Sequence, residues 1–125
     1  MTGLCVLTAA GALVSVLAGD AFTLAWTHSV EKIRWEEDYR IAGSRFVLTA
    51  ARVSGSGAGM EPPPGSKFKD GQWHYIPEIE PLAQLRLARA GVTADYQICQ
   101  NDTCHELGQL IPDPKSTLVK LKPCR

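Results

Sequence analysis

Short runs of β-favouring residues recur roughly every eight to twelve positions along this chain, each bounded by turn-forming residues. No stretch keeps a 3.6-residue apolar period over three turns. That rhythm points to an all-β fold, an antiparallel β-sandwich or partly open β-barrel of about eight to ten short strands. Strands are expected near 4–8, 12–17, 22–30, 35–41, 45–53, 72–76, 82–89, 92–99, 104–107 and 117–122, with turns at Ala42-Gly43-Ser44, Lys69-Asp70-Gly71 and Ala90-Gly91. The segment from Pro81 to Arg89 alone offers a helical alternative, with proline in a first turn and Gly91 as a stop. Its alternation favours a strand.

At 125 residues the chain has the size of one domain, 1–125, and can bury a core without a second module. Thirteen basic residues balance thirteen acidic ones, which removes the basic surplus that phosphate recognition requires; no nucleic-acid partner is expected. Four cysteines, Cys5, Cys99, Cys104 and Cys124, include no CxxC spacing of the zinc or redox kind. Cys99 and Cys104 enclose a polar turn, Gln100-Asn101-Asp102-Thr103, so a hairpin there brings their sulfurs face to face. By elimination Cys5 pairs with Cys124, a bond that closes almost the whole chain and stabilises it strongly on the chain-entropy argument. Such bonds persist in oxidising compartments, so a periplasmic or other extracytoplasmic location is expected.

Leu4 to Ala18 is apolar enough to resemble the core of a signal peptide. No lysine or arginine precedes it, and Gly11 and Ser15 interrupt it, so a β-hairpin is the better reading. The run is also too short to span a bilayer; no transmembrane segment is expected, and a signal would lie upstream of Met1 or be absent. Residues 54–65 break the strand rhythm: Gly55, Gly57 and Gly59 alternate before Met60, and three prolines follow. Glycine permits close approach while proline stiffens, which describes a shaped functional loop.

Phe22, Leu24, Trp26, His28 and Val30 share one face of the third strand, and Trp35, Glu37, Tyr39 and Ile41 share one face of the next. A polar residue interrupts each apolar face. With a four-residue connection from Glu31 to Arg34, Val30 faces Trp35, Trp26 faces Tyr39, and His28 faces Glu37, within hydrogen-bond reach. A slip of one would turn a strand inside out, although a slip of two would not. The pair has two uses: a register-fixing polar contact, or the floor of a pocket in which Glu37 orients His28. The candidate binding residues are therefore His28, Ser29, Glu31, Glu37, Gly55, Gly57, Gly59, Met60 and Trp73. His28, Glu37 and His74 could hold a metal only if they converge, which spacing does not show, so no metal or other cofactor is expected. A Ser-His-acid hydrolase built on Ser29 or Ser56 lacks the nucleophile elbow, and binding rather than catalysis is expected.

The segment from Phe22 to Glu31, with its His28-Ser29-Val30-Glu31 core, then Trp35 to Tyr39, and then Gly55 to Pro62, resembles an uncharacterised domain-of-unknown-function family. Its members are small extracytoplasmic bacterial and archaeal proteins commonly encoded beside the fused permease and binding protein of TAXI-type TRAP transporters. The resemblance extends over roughly residues 3 to 124. It implies an accessory role near a solute transporter, with the permease, the solute-binding component or a small solute as partner. It brings no chemistry. The cysteines and triple proline depart from the family pattern.

Overall fold

The computed structural model describes residues 2–27, 33–54, 64–89, 95–111 and 117–124. Within them the elements run β1 (Gly3–Thr8), β2 (Leu13–Ala18), β3 (Ala21–Thr27), β4 (Arg34–Ala42), β5 (Arg45–Ser54), β6 (Lys67–Lys69), β7 (Gln72–Tyr75), β8 (Leu85–Ala88), β9 (Gln97–Gln100), β10 (Thr103–Glu106), α1 (Leu107–Leu110) and β11 (Leu118–Cys124). They form two antiparallel sheets, β2-β1-β11-β8 and β10-β9-β3-β4-β5-β7-β6, and neither closes into a barrel. The open two-sheet form is therefore the one this chain builds.

Alternation explains how the sheets meet. Leu4 and Val6 on β1, Leu85 and Leu87 on β8, and Val119 and Leu121 on β11 supply the buried face of the smaller sheet. Against it pack Phe22 and Leu24, Tyr39 and Ile41, Phe46 and Leu48, and Ile98 from the larger one. Phe46 is fully buried and meets the rings of Phe22 and Tyr39 edge-on, with centroids 5.5 and 6.1 Å away. Leu107 and Ile111 of the α1 turn close the core at one end. That helix begins with a capping box in which the Glu106 and Gln109 side chains satisfy each other's backbone amides.

Turn chemistry sets the hairpins. Asp70 and Gly71 both have positive φ, at 54° and 77°, so the two-residue turn joining β6 to β7 has the twist that hairpins favour. Asn101 and Asp102, at 49° and 65°, do the same between β9 and β10. There Cys104 stands directly opposite Cys99, with Cα atoms 4.0 Å apart, and the two are bridged. A second bridge joins Cys5 on β1 to Cys124 on the adjacent β11. The strand expected over 82–89 forms as Leu85–Ala88, with Leu82 held separately by a bridge to Phe46. The strand expected over 92–99 is described as Gln97–Gln100, and the turn at Ala90-Gly91 lies outside the described residues.

Candidate functional site

The register of β3 against β4 decides what surrounds Glu37. Trp26 stands opposite Trp35, Leu24 opposite Glu37 and Phe22 opposite Tyr39. The position facing Glu37 is thus Leu24 and not His28, a slip of four places from the register expected above, with parity preserved. The expected connection of four residues is correspondingly too short, since Thr27 and Arg34 already pair. Two contacts explain the preference: the indoles of Trp26 and Trp35 stack nearly parallel at 6.2 Å, and the Phe22 and Tyr39 rings stack at 5.4 Å. His28, Ser29, Glu31, Gly55, Gly57, Gly59 and Met60 lie outside the described residues.

Glu37 belongs to a row that crosses the larger sheet, Ile98-Leu24-Glu37-Ala51-Tyr75, and the parallel row beside it reads Trp26-Trp35-Val53-Trp73-Phe68. Both rows lie on the face that turns toward the core, yet Trp35, Glu37, Trp73 and Tyr75 are only partly buried. The Tyr39 hydroxyl donates to Glu37 Oε1 at 2.9 Å. Burial pushes the Glu37 carboxyl above its ordinary range, and the Tyr39 hydrogen bond offsets only part of that. Burial, and then the charge of Glu37, likewise raise the hydroxyls of Tyr75 and Tyr96. The Tyr96 ring also lies 6.0 Å from Trp26. One carboxyl group is therefore hydrogen-bonded by Tyr39 and felt by the protonated hydroxyls of Tyr75 and Tyr96, beside a pair of stacked indoles. Such a surface can recognise a polar group and an aromatic or apolar body together.

The opposite face of β4 carries a second constellation. The Arg52 guanidinium reaches Asp38 in a fork of 2.7 and 2.8 Å and touches Glu36 at 3.1 Å. Gln72 and Arg34 complete the ring around Glu36, and Thr23 donates to Asp38 at 2.7 Å. Hydrogen bonds from Arg52 hold Asp38 below the usual carboxylate range. Burial acts upward on Glu36, but the bonds from Gln72, Arg52 and Arg34 outweigh it and leave that group lowered too. This face is a partly buried, cross-braced ion network. It borders a cleft of about 500 Å³ closed on its far side by the Cys99–Cys104 hairpin.

A profile of the DUF1850 family, a domain of unknown function, matches residues 22–107. The chain belongs to the DUF1850 family. The match runs from β3 to the end of β10 and so takes in the whole seven-stranded sheet, including the Glu37 row and the Arg52 network. β1, β2 and β11 lie outside it, and with them the Cys5–Cys124 bridge. No curated protein and no solved structure matches the chain.

The DUF1850 sheet separates two residues that sequence had offered together. His74 pairs with Arg52 on the network face, and its Nε2 lies 3.2 Å from the Lys69 carbonyl, whereas Glu37 occupies the other face. They cannot share a metal, and no group of metal-ligating side chains occurs among the described residues. Trp73 does join the aromatic row, where it meets Phe68 edge-on at 5.1 Å. Sequence reasoning missed Tyr39, Tyr75 and Tyr96 as companions of Glu37. Tyr39 could have been found, because it lies two residues from Glu37 on one strand face. Tyr75 on β7 and Tyr96, just before β9, are brought there by a sheet order that no local pattern supplies.

Proposed function

We propose that this DUF1850 chain is an extracytoplasmic binding module that engages a TRAP-type transporter component, or its solute, through the aromatic half of the seven-stranded sheet centred on Glu37. The observation that supports it best is the half-buried Glu37 carboxyl, held by Tyr39 on a face that also presents Trp35, Trp73 and Tyr75. A carboxyl kept in such a place is costly unless something uses it. The two disulfides favour an oxidising compartment. The transporter assignment rests on the family resemblance set out above.

A second reading, an autonomous small-molecule binder, draws support from a cleft of about 420 Å³ lined by Ala51, Lys67, His74 and Tyr75, which reaches the Glu37 row through Ala51 and Tyr75. That volume suits a small organic ligand. One experiment separates the two. The oxidised domain is titrated against the cognate permease in nanodiscs and, separately, against the transported solute, with Glu37→Gln alongside. Binding of the permease, or of the solute only when the permease is present, that weakens at least tenfold in the variant supports the module; solute binding by the domain alone supports the second reading. Binding of neither overturns both.

A further inference from the structure

The two disulfides differ in what surrounds them. Cys5–Cys124 joins positions 119 apart, and Cys5 is buried in the core. Cys99–Cys104 joins positions 5 apart, Cys104 is exposed, and both residues line the cleft of about 500 Å³ on the network face of the larger sheet. A disulfide reacts with thiols only where a thiol can reach its sulfurs, and exposed bonds are the labile ones.

The hairpin that carries this bond has other means of holding its shape. Thr103 pairs with Gln100 on one side of the cysteines and His105 with Ile98 on the other, and beyond them the Leu107 amide donates to the Tyr96 carbonyl. Asn101 and Asp102 form the turn, and the Gln100 side chain pins the end of β9 to the Ala18 and Ala21 carbonyls. A crosslink across so short a loop removes little freedom from the unfolded chain, so opening it leaves the domain folded.

We propose that Cys99–Cys104 is a thiol–disulfide exchange site, opened by a dithiol that enters the cleft and attacks Cys104, while Cys5–Cys124 stays closed. The attacking thiolate bonds to Cys104 Sγ, the Cys99–Cys104 bond breaks, and its electron pair leaves on Cys99 Sγ. The second thiol of the reagent then loses its proton and displaces Cys104 from the mixed disulfide. The dithiol is oxidised to a disulfide, and the protein, having gained two electrons and two protons, keeps two thiols. Direction follows from exposure, since Cys104 is exposed and Cys99 half-buried. The Cys99 thiolate departs on a face that carries a cation, because Arg34 Nη1 donates at 3.0 Å to Gln97 Oε1, two residues away on the same strand face. Glu36, in the same cleft, is already occupied by Arg34, Arg52 and Gln72. The site lies on the face opposite Glu37 and stands independently of the function proposed above.

The test uses the oxidised full chain without denaturant, with dithiothreitol as the dithiol and glutathione as a monothiol that stops at the mixed disulfide. Freed thiols are alkylated at timed intervals and located by peptide mass spectrometry, while far-ultraviolet circular dichroism follows the fold. Dithiothreitol should open Cys99–Cys104 roughly tenfold or more faster than Cys5–Cys124, at unchanged dichroism. Glutathione should be found on Cys104, with Cys99 alkylated. Equal rates for the two bonds, or a hairpin pair that reacts only as the dichroism is lost, overturns the proposal. So does glutathione on Cys99 alone, since the cleft would then admit the reagent to the other sulfur.

Discussion

Removing either disulfide leaves the same two sulfur atoms unjoined, yet the losses should differ greatly. In the chain-entropy treatment a crosslink removes from the unfolded ensemble about 2.1 + 1.5R ln n cal/mol/K for a loop of n residues. Cys5 and Cys124 are 119 positions apart, which gives about 5 kcal/mol at 25 °C. Cys99 and Cys104 are 5 apart, which gives about 2 kcal/mol. Burial widens the gap, because Cys5 is 8% exposed while Cys104 is exposed. Urea unfolding of Cys5→Ala/Cys124→Ala and Cys99→Ala/Cys104→Ala, followed by tryptophan fluorescence and far-ultraviolet circular dichroism, measures both losses by linear extrapolation. The terminal pair should cost about 3 kcal/mol more than the hairpin pair, with a steeper denaturant slope as its unfolded chain expands. Equal losses, or a larger loss at the hairpin, would refute the reasoning.

Two further outcomes follow from the opposite faces of β4. Glu37 has a raised folded pKa, so between its unfolded value of 4.5 and the folded one the native state retains a proton that the unfolded chain has released. Stability therefore falls as pH rises through that window. Glu37→Gln should remove the decline and raise the melting temperature at neutral pH; a variant that melts lower across the range contradicts this. Asp38 and Glu36 are lowered, and their contribution is present above unfolded values of 3.8 and 4.5 and is lost as pH falls through the folded ones. Arg52→Lys breaks the fork to Asp38 and should cost roughly 1 kcal/mol at pH 7. The difference from wild type should fade in acid, and a difference that persists there would show that packing, rather than charge, is what Arg52 supplies.

Much of the fold was legible because strand alternation is local. The hairpins at Gly43-Ser44 and Asn101-Asp102 sit where turn residues announced them, and the Cys99–Cys104 bridge follows from that hairpin. β6 escaped although its turn was seen, since Lys67-Phe68-Lys69 is short and two-thirds charged, the pattern of an edge rather than of a buried strand. α1 escaped because four residues cannot show a helical period, and only the Glu106 and Gln109 capping box marks it. The register of β3 and β4 was read with correct parity and wrong offset. Period-two patterning cannot distinguish slips by an even number, and the stacking of Trp26 on Trp35 made the choice. The same limit hid the tyrosines around Glu37, which meet only once β5, β7 and β9 have taken their places.

The position of β11 has a temporal consequence. It is an inner strand of the smaller sheet, between β1 and β8, and it comes last among the described elements. As the polypeptide emerges N-terminus first, β1 and β2 can close their hairpin early, but they have nothing to join to β8 until the final strand arrives. The larger sheet can assemble in the meantime with its inner face uncovered. Leu4, Val6, Phe46 and Leu85 then wait for Val119 and Leu121. The smaller sheet is completed only after β11 has emerged, and a chain without Leu118–Cys124 loses the strand that joins one half of that sheet to the other.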